Sequence, residues 1–314
     1  MMRKMLAKPW VKIRIDDLDL FVKMACSLSC ERDAVRYTDE GGKENGRKWV
    51  FRGQGDSRWV ISSTLERHKT AGVSQDLGMK KKEQMLYDKF VREASCYTLI
   101  DAKKIFDVLA MMRHYKVPTR LVDFSESPFV SLYFGAENVT DRDFSVWAVC
   151  VDDLDEYSAC GDVINLHPKG VKSFRTKDFD KLRMGFENNF WAATEKKVVP
   201  RMFYAYPQHG NMRQSAQLGL FLLQSSLRTS FMRDMIDALG CDESKIYSTS
   251  VSHLYRLDRV DDVIRLSRIV QFVLPNQLRD KCMSLLYAMN ISAKTLYPGL
   301  EGVGLFLSQH ILLK

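Results

Sequence analysis

Long apolar runs are missing from this sequence. Nowhere in its 314 residues does an uninterrupted apolar stretch approach the roughly 20 positions a membrane helix needs, so no membrane partner is expected. The start, Met1 to Trp10, is basic but has no continuous apolar centre. It does not read as a secretory signal, and a cytoplasmic location is the expectation. Cysteines are few, odd in number and scattered; Cys26 and Cys30 stand close, but no second close pair joins them. Without that second pair a zinc site is not expected, so reduced thiols and no metal are the expectation. Internal repeats, low-complexity tracts and a convincing linker are also absent, which favours one large mixed domain over two.

What is present is an ordinary globular composition: 46% hydrophobic and 27% charged residues exclude a disordered chain. The net charge of +8 favours an anionic partner such as a nucleotide, a nucleic acid or an acidic protein surface.

The most informative stretch is Arg113 to Ala136. Ile105, Val108, Leu109 and Met112 recur at helical spacing ahead of it, and Pro118 stops that helix. Leu121-Val122-Asp123-Phe124 reads as a short buried strand. Ser127 then caps a second helix with Pro128 at its first position. His114, Tyr115, Thr119, Arg120, Asp123 and Ser125 crowd polar groups into a frame that is otherwise apolar. A charge inside an apolar strand must be paired or face a cleft. Arg120 and Asp123 are the natural pair, and both a buried salt bridge and a functional site fit these residue types.

Elsewhere, Phe21, Met24, Ala25 and Leu28 make a helix of residues 16–29, and residues 31–47 read as a loop or loose hairpin. Trp49-Val50-Phe51-Arg52 is a strand ending at two glycines, with Trp49 and Phe51 on one face and Val50 and Arg52 on the other. Arg52 either approaches a ligand there or bridges to a nearby carboxylate. A helix near 79–99 turns Leu86, Phe90, Ala94 and Tyr97 inward, and Ser145–Val151 is an interior strand. Residues 155–200 mix cations with aromatics, as a variable excursion or a single-stranded nucleic-acid surface would. From Gln217 onward a strand places Gln217, Gly219 and Phe221 on one face, and 226–262 include polar, looped segments. A helix begins near Pro275 and another ends the chain.

Four motifs taken together resemble the FRG domain family. Phe51-Arg52-Gly53-Gln54 is similar to its Phe/Tyr-Arg-Gly signature. His114–Asp123 with Pro128–Ala136 is similar to its His-Tyr-Gly-Leu-Pro-Thr-Arg-Leu-Leu-Asp-Trp run and the Asn-Pro and Ala-Leu-Tyr-Phe-Ala that follow. Arg213, Gln217, Gly219 and Phe221 resemble its Arg and Gln-x-Gly-x-Phe, and Thr295–Gly302 its C-terminal connector. The likeness spans about residues 16–312. It departs at Arg113, where Gln is usual, at Lys116, where Gly is usual, and at Phe124.

By further analogy, the order of these segments is similar to ADP-ribosyltransferases, which implies an α+β fold with a split mixed sheet flanked by helices, in a single large domain. That likeness implies NAD as substrate, and a transferase or glycohydrolase acting as a toxin or antiphage defence effector on a nucleic-acid or protein acceptor. It implies Arg52, Asp123 and Gln217 as catalytic, with Arg52, Gly53, Gln54, His114, Tyr115, Thr119, Arg120 and Phe124 around the cofactor. Gln217 stands where such enzymes carry a carboxylate, which strengthens the competing expectation, a non-catalytic nucleotide or nucleic-acid binding module.

Overall fold

The structure, a computed structural model, describes residues 10–30, 36–37, 43–44, 47–68, 75–138, 141–152, 154–157, 163–165, 202–206, 212–241 and 267–311. The cations and aromatics expected to interleave between 169 and 191, the turn at Gly210-Asn211 and His253 lie outside the described residues.

The fold is mixed α+β, as expected. Among the described residues, nine strands form one sheet: β1 (Val11–Arg14), β4 (Trp49–Gln54), β5 (Val122–Ser125), β6 (Phe144–Cys150), β7 (Asp155–Tyr157), β8 (Val163–Asn165), β9 (Met202–Ala205), β10 (Gly219–Gln224) and β11 (Ile269–Leu274). Their order is β1-β11-β6-β4-β5-β10-β9-β7-β8. The β1–β11 and β7–β9 pairs are parallel and the others antiparallel. Between β1 and β4, two short strands, β2 (Arg36–Tyr37) and β3 (Lys43–Glu44), make the hairpin allowed for 31–47.

Alternation along the strands sorts the core. Trp49, Phe51, Val146, Ala148 and Phe272 face α1 (Leu18–Cys30), α5 (Pro128–Ala136) and α8 (Arg279–Ala288), packing on Phe21, Leu132, Tyr133, Cys282 and Leu286. Val50, Trp147, Val122, Phe124, Leu220 and Leu222 face the other way, under Phe231, Met235 and Ile236 of α7 (Phe231–Ala238). This helix was not singled out within 226–262, where the sequence showed polar, looped segments. Its buried residues do recur at helical spacing, and the Ser230 hydroxyl caps it by accepting from Arg233 N at 3.3 Å. A third core forms where α4 (Ile105–His114) and α3 (Gln75–Ala94) lie on Phe203, Phe221 and Leu223. The inward face of α3 is Met79, Glu83 and Tyr87 with Leu86 and Phe90 partly covered; Tyr97, expected inside, is 90% exposed beyond the helix end.

The two halves of the sheet meet at a weak seam. Every residue of β4 pairs with β6, whereas β4 and β5 share only Phe51 opposite Ser125. The strands therefore part immediately beyond that pair, on the side where Arg52 and Asp123 sit. The opening is local, since the core under α7 runs unbroken beneath both halves.

Two features hold the seam's walls. A Cβ on Gly53 would stand 1.9 Å from the Ser131 carbonyl oxygen and 2.5 Å from Gly135 N, so glycine lets α5 press directly onto β4. Gly53 therefore admits a helix where space for a cofactor was expected. On the other wall, Arg120 is not paired with Asp123 as the sequence suggested. Both Arg120 and Glu83 of α3 are fully buried, with Arg120 Nε donating to Glu83 Oε2 at 2.7 Å and Arg120 N to Oε1 at 2.9 Å. Arg120 Nη1 also donates to the carbonyls of Gln224 and Ser225 at the end of β10.

Removing one partner of such a pair strands a charge in the core. Arg120→Met alone should destabilise the protein by about 3–5 kcal/mol in urea unfolding, and adding Glu83→Leu should restore much of it. Gly53→Ala should cost at least about 2 kcal/mol by overpacking, visible as a lowered urea midpoint.

Candidate functional site

Two arginines from two elements converge on one carboxylate at the open end of the seam, and the charge of a third acts on them. Arg52 leaves β4 on the face of Val50, and its Nη1 donates to the Asp123 main-chain carbonyl at 2.6 Å, replacing the strand pairing that ends at Phe51. The same Nη1 lies 3.9 Å from Asp123 Oδ2. Arg113, in the last turn of α4, donates to that oxygen from Nε at 2.9 Å and Nη2 at 2.5 Å. Arg67 closes α2 (Thr64–Arg67), anchored by Nη1 donating to the Ser62 carbonyl at 3.0 Å, and it interacts electrostatically with Arg113, Asp123, Glu66 and Arg52.

Each contributor is locally determined. The Ser63 hydroxyl caps α2 by accepting from Glu66 N at 3.0 Å, and α2 is tied to the chain before β5. Thr64 Oγ1 donates to the Thr119 carbonyl and accepts from Thr119 N, both at 3.1 Å, while Leu65 N also donates to that carbonyl. Helix α4 ends in a Schellman turn: Val117 N donates to the Met112 carbonyl at 2.9 Å and Lys116 N to Arg113's at 3.1 Å. Lys116 takes a left-handed conformation, φ 65°. The usual glycine of the FRG pattern therefore answers to helix termination, and the lysine meets the same backbone demand at a cost.

The cluster is electrostatically strained. Burial lowers the Arg52 pKa to about 10, with Arg113 and Arg67 pushing the same way and Asp123 opposing. Arg67 is lowered by burial and then by Arg113. Burial would raise the Asp123 carboxyl, but Arg113 and Arg52 outweigh it and hold it below the usual range. Arg52 Nε is buried with no hydrogen-bond partner among the described residues. The side chains of Arg52 and Arg113 are only 16% and 21% exposed, while that of Asp123 is 46% exposed and marks the opening.

The other expected residues are placed differently. His114 and Tyr115 are exposed at the end of α4, their rings 5.0 Å apart, with Tyr115 6.5 Å from Phe90. Thr119 is buried at the α2 junction, Arg120 belongs to the Glu83 pair, and Phe124 lies in the core under α7. Gln54 accepts from Trp147 Nε1 at 2.7 Å and donates to the Val60 carbonyl at 3.3 Å. Gln217 is not in the strand: it follows α6 (Met212–Ala216) and precedes Leu218, φ 47°, and β10 begins at Gly219. Its amide donates to the Leu296 carbonyl at 3.0 Å, and its own carbonyl accepts from Ser125 Oγ at 2.7 Å. Beside it, the Arg213 guanidinium lies 4.4 Å over the Tyr297 ring, whose hydroxyl donates to Glu137 at 2.9 Å. The last two resemblance motifs thus clasp each other and the end of α5.

Arg113 and Arg67 were missed as site members. Arg113 carried a signal, a cation at a helix end ten residues before the strand carboxylate; Arg67 carried none, because only tertiary folding brings it near. Among the described residues, no group of three or more His, Cys, Asp or Glu is placed to hold a metal, and no helix is long and apolar enough to cross a membrane.

Residues 47–143 match the family model of the FRG domain, which takes in the Phe51–Gln54 and His114–Ala136 motifs and both walls of the arginine cluster. No curated protein and no solved structure matches the chain.

Lys116→Gly should raise stability by about 0.5–1 kcal/mol, because glycine adopts this left-handed position without the Cβ penalty; chemical denaturation at constant m-value would show it.

Proposed function

We propose that this FRG-domain chain binds a nucleotide through its phosphate, with Arg52, Arg67 and Arg113 as the cationic shell and Asp123 as the counter-ion that assembles it. The observation that carries this reading is the convergence of two guanidinium groups, Arg52 and Arg113, on one carboxylate at a partly buried seam, with the charge of Arg67 acting on both. Like charges in such surroundings repel, and an arriving anion relieves them. Guanidinium forks match phosphate oxygens in pairs, and Arg52 Nε is a buried donor with no hydrogen-bond partner among the described residues. The shell stands on a strand and two helix ends, so little ordering is needed on binding. Tyr115, two residues past Arg113 and 66% exposed, offers a stacking face for a base; Phe124 does not.

The NAD-consuming transferase or glycohydrolase, with a toxin or antiphage role and a nucleic-acid or protein acceptor, is the version in which Asp123 also does chemistry. Loss of nicotinamide builds positive charge on the ribose, which a carboxylate stabilises. Asp123 is instead held by Arg113 and Arg52, and a depressed pKa makes it a poor base. The Gln217 amide, the group suited to a ribose hydroxyl, is bonded to Leu296. Binding without turnover is therefore the reading proposed.

Calorimetric titration with a mononucleotide and with NAD, alongside an assay for free nicotinamide, tests it. Wild type should bind nucleotide and release no nicotinamide, and Arg113→Ala or Arg52→Ala should weaken binding about tenfold or more, as loss of a charged hydrogen-bond partner does. Nicotinamide release that Asp123→Asn abolishes would replace this reading with the catalytic one. Failure of every nucleotide to bind would overturn it.

A further inference from the structure

Resting on the nucleotide site just described, we infer that Asp123 determines its specificity. One carboxylate oxygen holds the arginines and the other accepts a ribose hydroxyl, so the site takes a ribonucleotide in preference to its deoxy counterpart.

The two oxygens of Asp123 are unequally used. Arg113 sends both Nε and Nη2 to Oδ2, and Arg52 Nη1 stands 3.9 Å from that same atom. Oδ1 accepts no hydrogen bond from any other residue among the described residues, and the side chain is 46% exposed. An ionised carboxylate only accepts, with lone pairs on both oxygens. Oδ1 therefore stands at the mouth of the seam as an acceptor in want of an O–H or N–H. A bare phosphate, which at neutral pH is chiefly acceptor, meets repulsion there. A phosphate carried on a ribose brings a hydroxyl that satisfies it.

The donors left for the phosphate are close by. Arg113 Nη1 and Arg52 Nη2 make no hydrogen bond among the described residues, and Arg52 Nε is buried without one. Arg67 is held by the Ser62 carbonyl and feels the charges of Glu66 and Asp123 together, so the anion falls to Arg52 and Arg113. Because Arg113 and Asp123 are bonded to each other, their free donor and free acceptor demand a phosphate and a hydroxyl that are neighbours in the ligand. On a ribose that is a 3′-phosphate beside the 2′-hydroxyl, or the reverse. A free 3′-nucleotide and the 3′-phosphate end of an RNA share this chemistry, and the 2′-hydroxyl is what separates both from DNA.

The test is calorimetric titration of the full chain with 3′-AMP, 2′-deoxy-3′-AMP and inorganic phosphate, and with RNA and DNA oligonucleotides of one sequence carrying a 3′-phosphate. Wild type should bind 3′-AMP about tenfold or more tightly than its 2′-deoxy form, the loss expected for a hydrogen bond to a charged group. In Asp123→Asn the amide oxygen takes the place facing Arg113 and the NH2 group replaces Oδ1, so the two affinities should come together. Where that variant binds neither form, the wild-type ratio decides. RNA binding tighter than DNA supports the inference with an RNA end as source, and 3′-AMP binding without oligonucleotide binding supports it with a free nucleotide. Equal binding of the ribo and deoxy forms by wild type, or a preference that survives in Asp123→Asn, would overturn the role of Asp123 and leave the nucleotide site standing. No binding by any of these ligands would overturn both.

Discussion

Arg120 and Glu83, both sealed from solvent, are the constraint from which the site follows. A guanidinium and a carboxylate removed from water are tolerable only together and only in one geometry. Arg120 satisfies this by bonding Glu83 with its main-chain N and its side chain, and by turning Nη1 to the carbonyls at the end of β10. One residue thereby sets the distance of α3 from the sheet and the entry of the chain into β5. Asp123 stands three residues further on, and its position is inherited from that arrangement.

The seam between β4 and β5 puts the chemistry within reach of solvent. Sheets seldom leave a strand interior half-paired, because unmet main-chain groups are costly. Here Arg52 supplies the missing partner, donating to the Asp123 carbonyl where a ladder bond would otherwise form. The substitution brings a cation into the gap, and α4 and α2 add two more. The same close packing that makes Gly53 indispensable under α5 keeps β4 rigid while β5 diverges. At the other end of β5, Gln217, Leu296, Arg213, Tyr297 and Glu137 close a second set of contacts. These tie the C-terminal helices to the sheet, so motifs distant in the chain serve fixation there rather than the arginine cluster.

Much of the frame was legible because it depends on local rules. The Ser127 cap with Pro128 behind it, the stop before Pro118, the two-faced alternation of Trp49 to Arg52 and the fully apolar β6 are consequences of backbone preference and side-chain period. Gln217 was misread because period two cannot show that Leu218 adopts a left-handed conformation, so that the strand starts two residues later, at Gly219. Arg120 was assigned the wrong carboxylate because Asp123 is near in sequence, while Glu83 is near only once α3 docks. Helix α7 was overlooked although Phe231, Met232, Met235 and Ile236 carry its period, since the polar residues around them masked a short amphipathic face.

The sequence by itself determined an α+β chain, its capped helices and buried strands, and that Arg52 and Asp123 are charged residues inside apolar strands that need partners. Those follow from propensities and periods acting over a few residues. Which partners they find was decided by the tertiary structure alone. Coulomb and hydrogen-bond terms depend on distances between elements, and those distances are set by how α2, α3 and α4 pack against a sheet that parts at one seam.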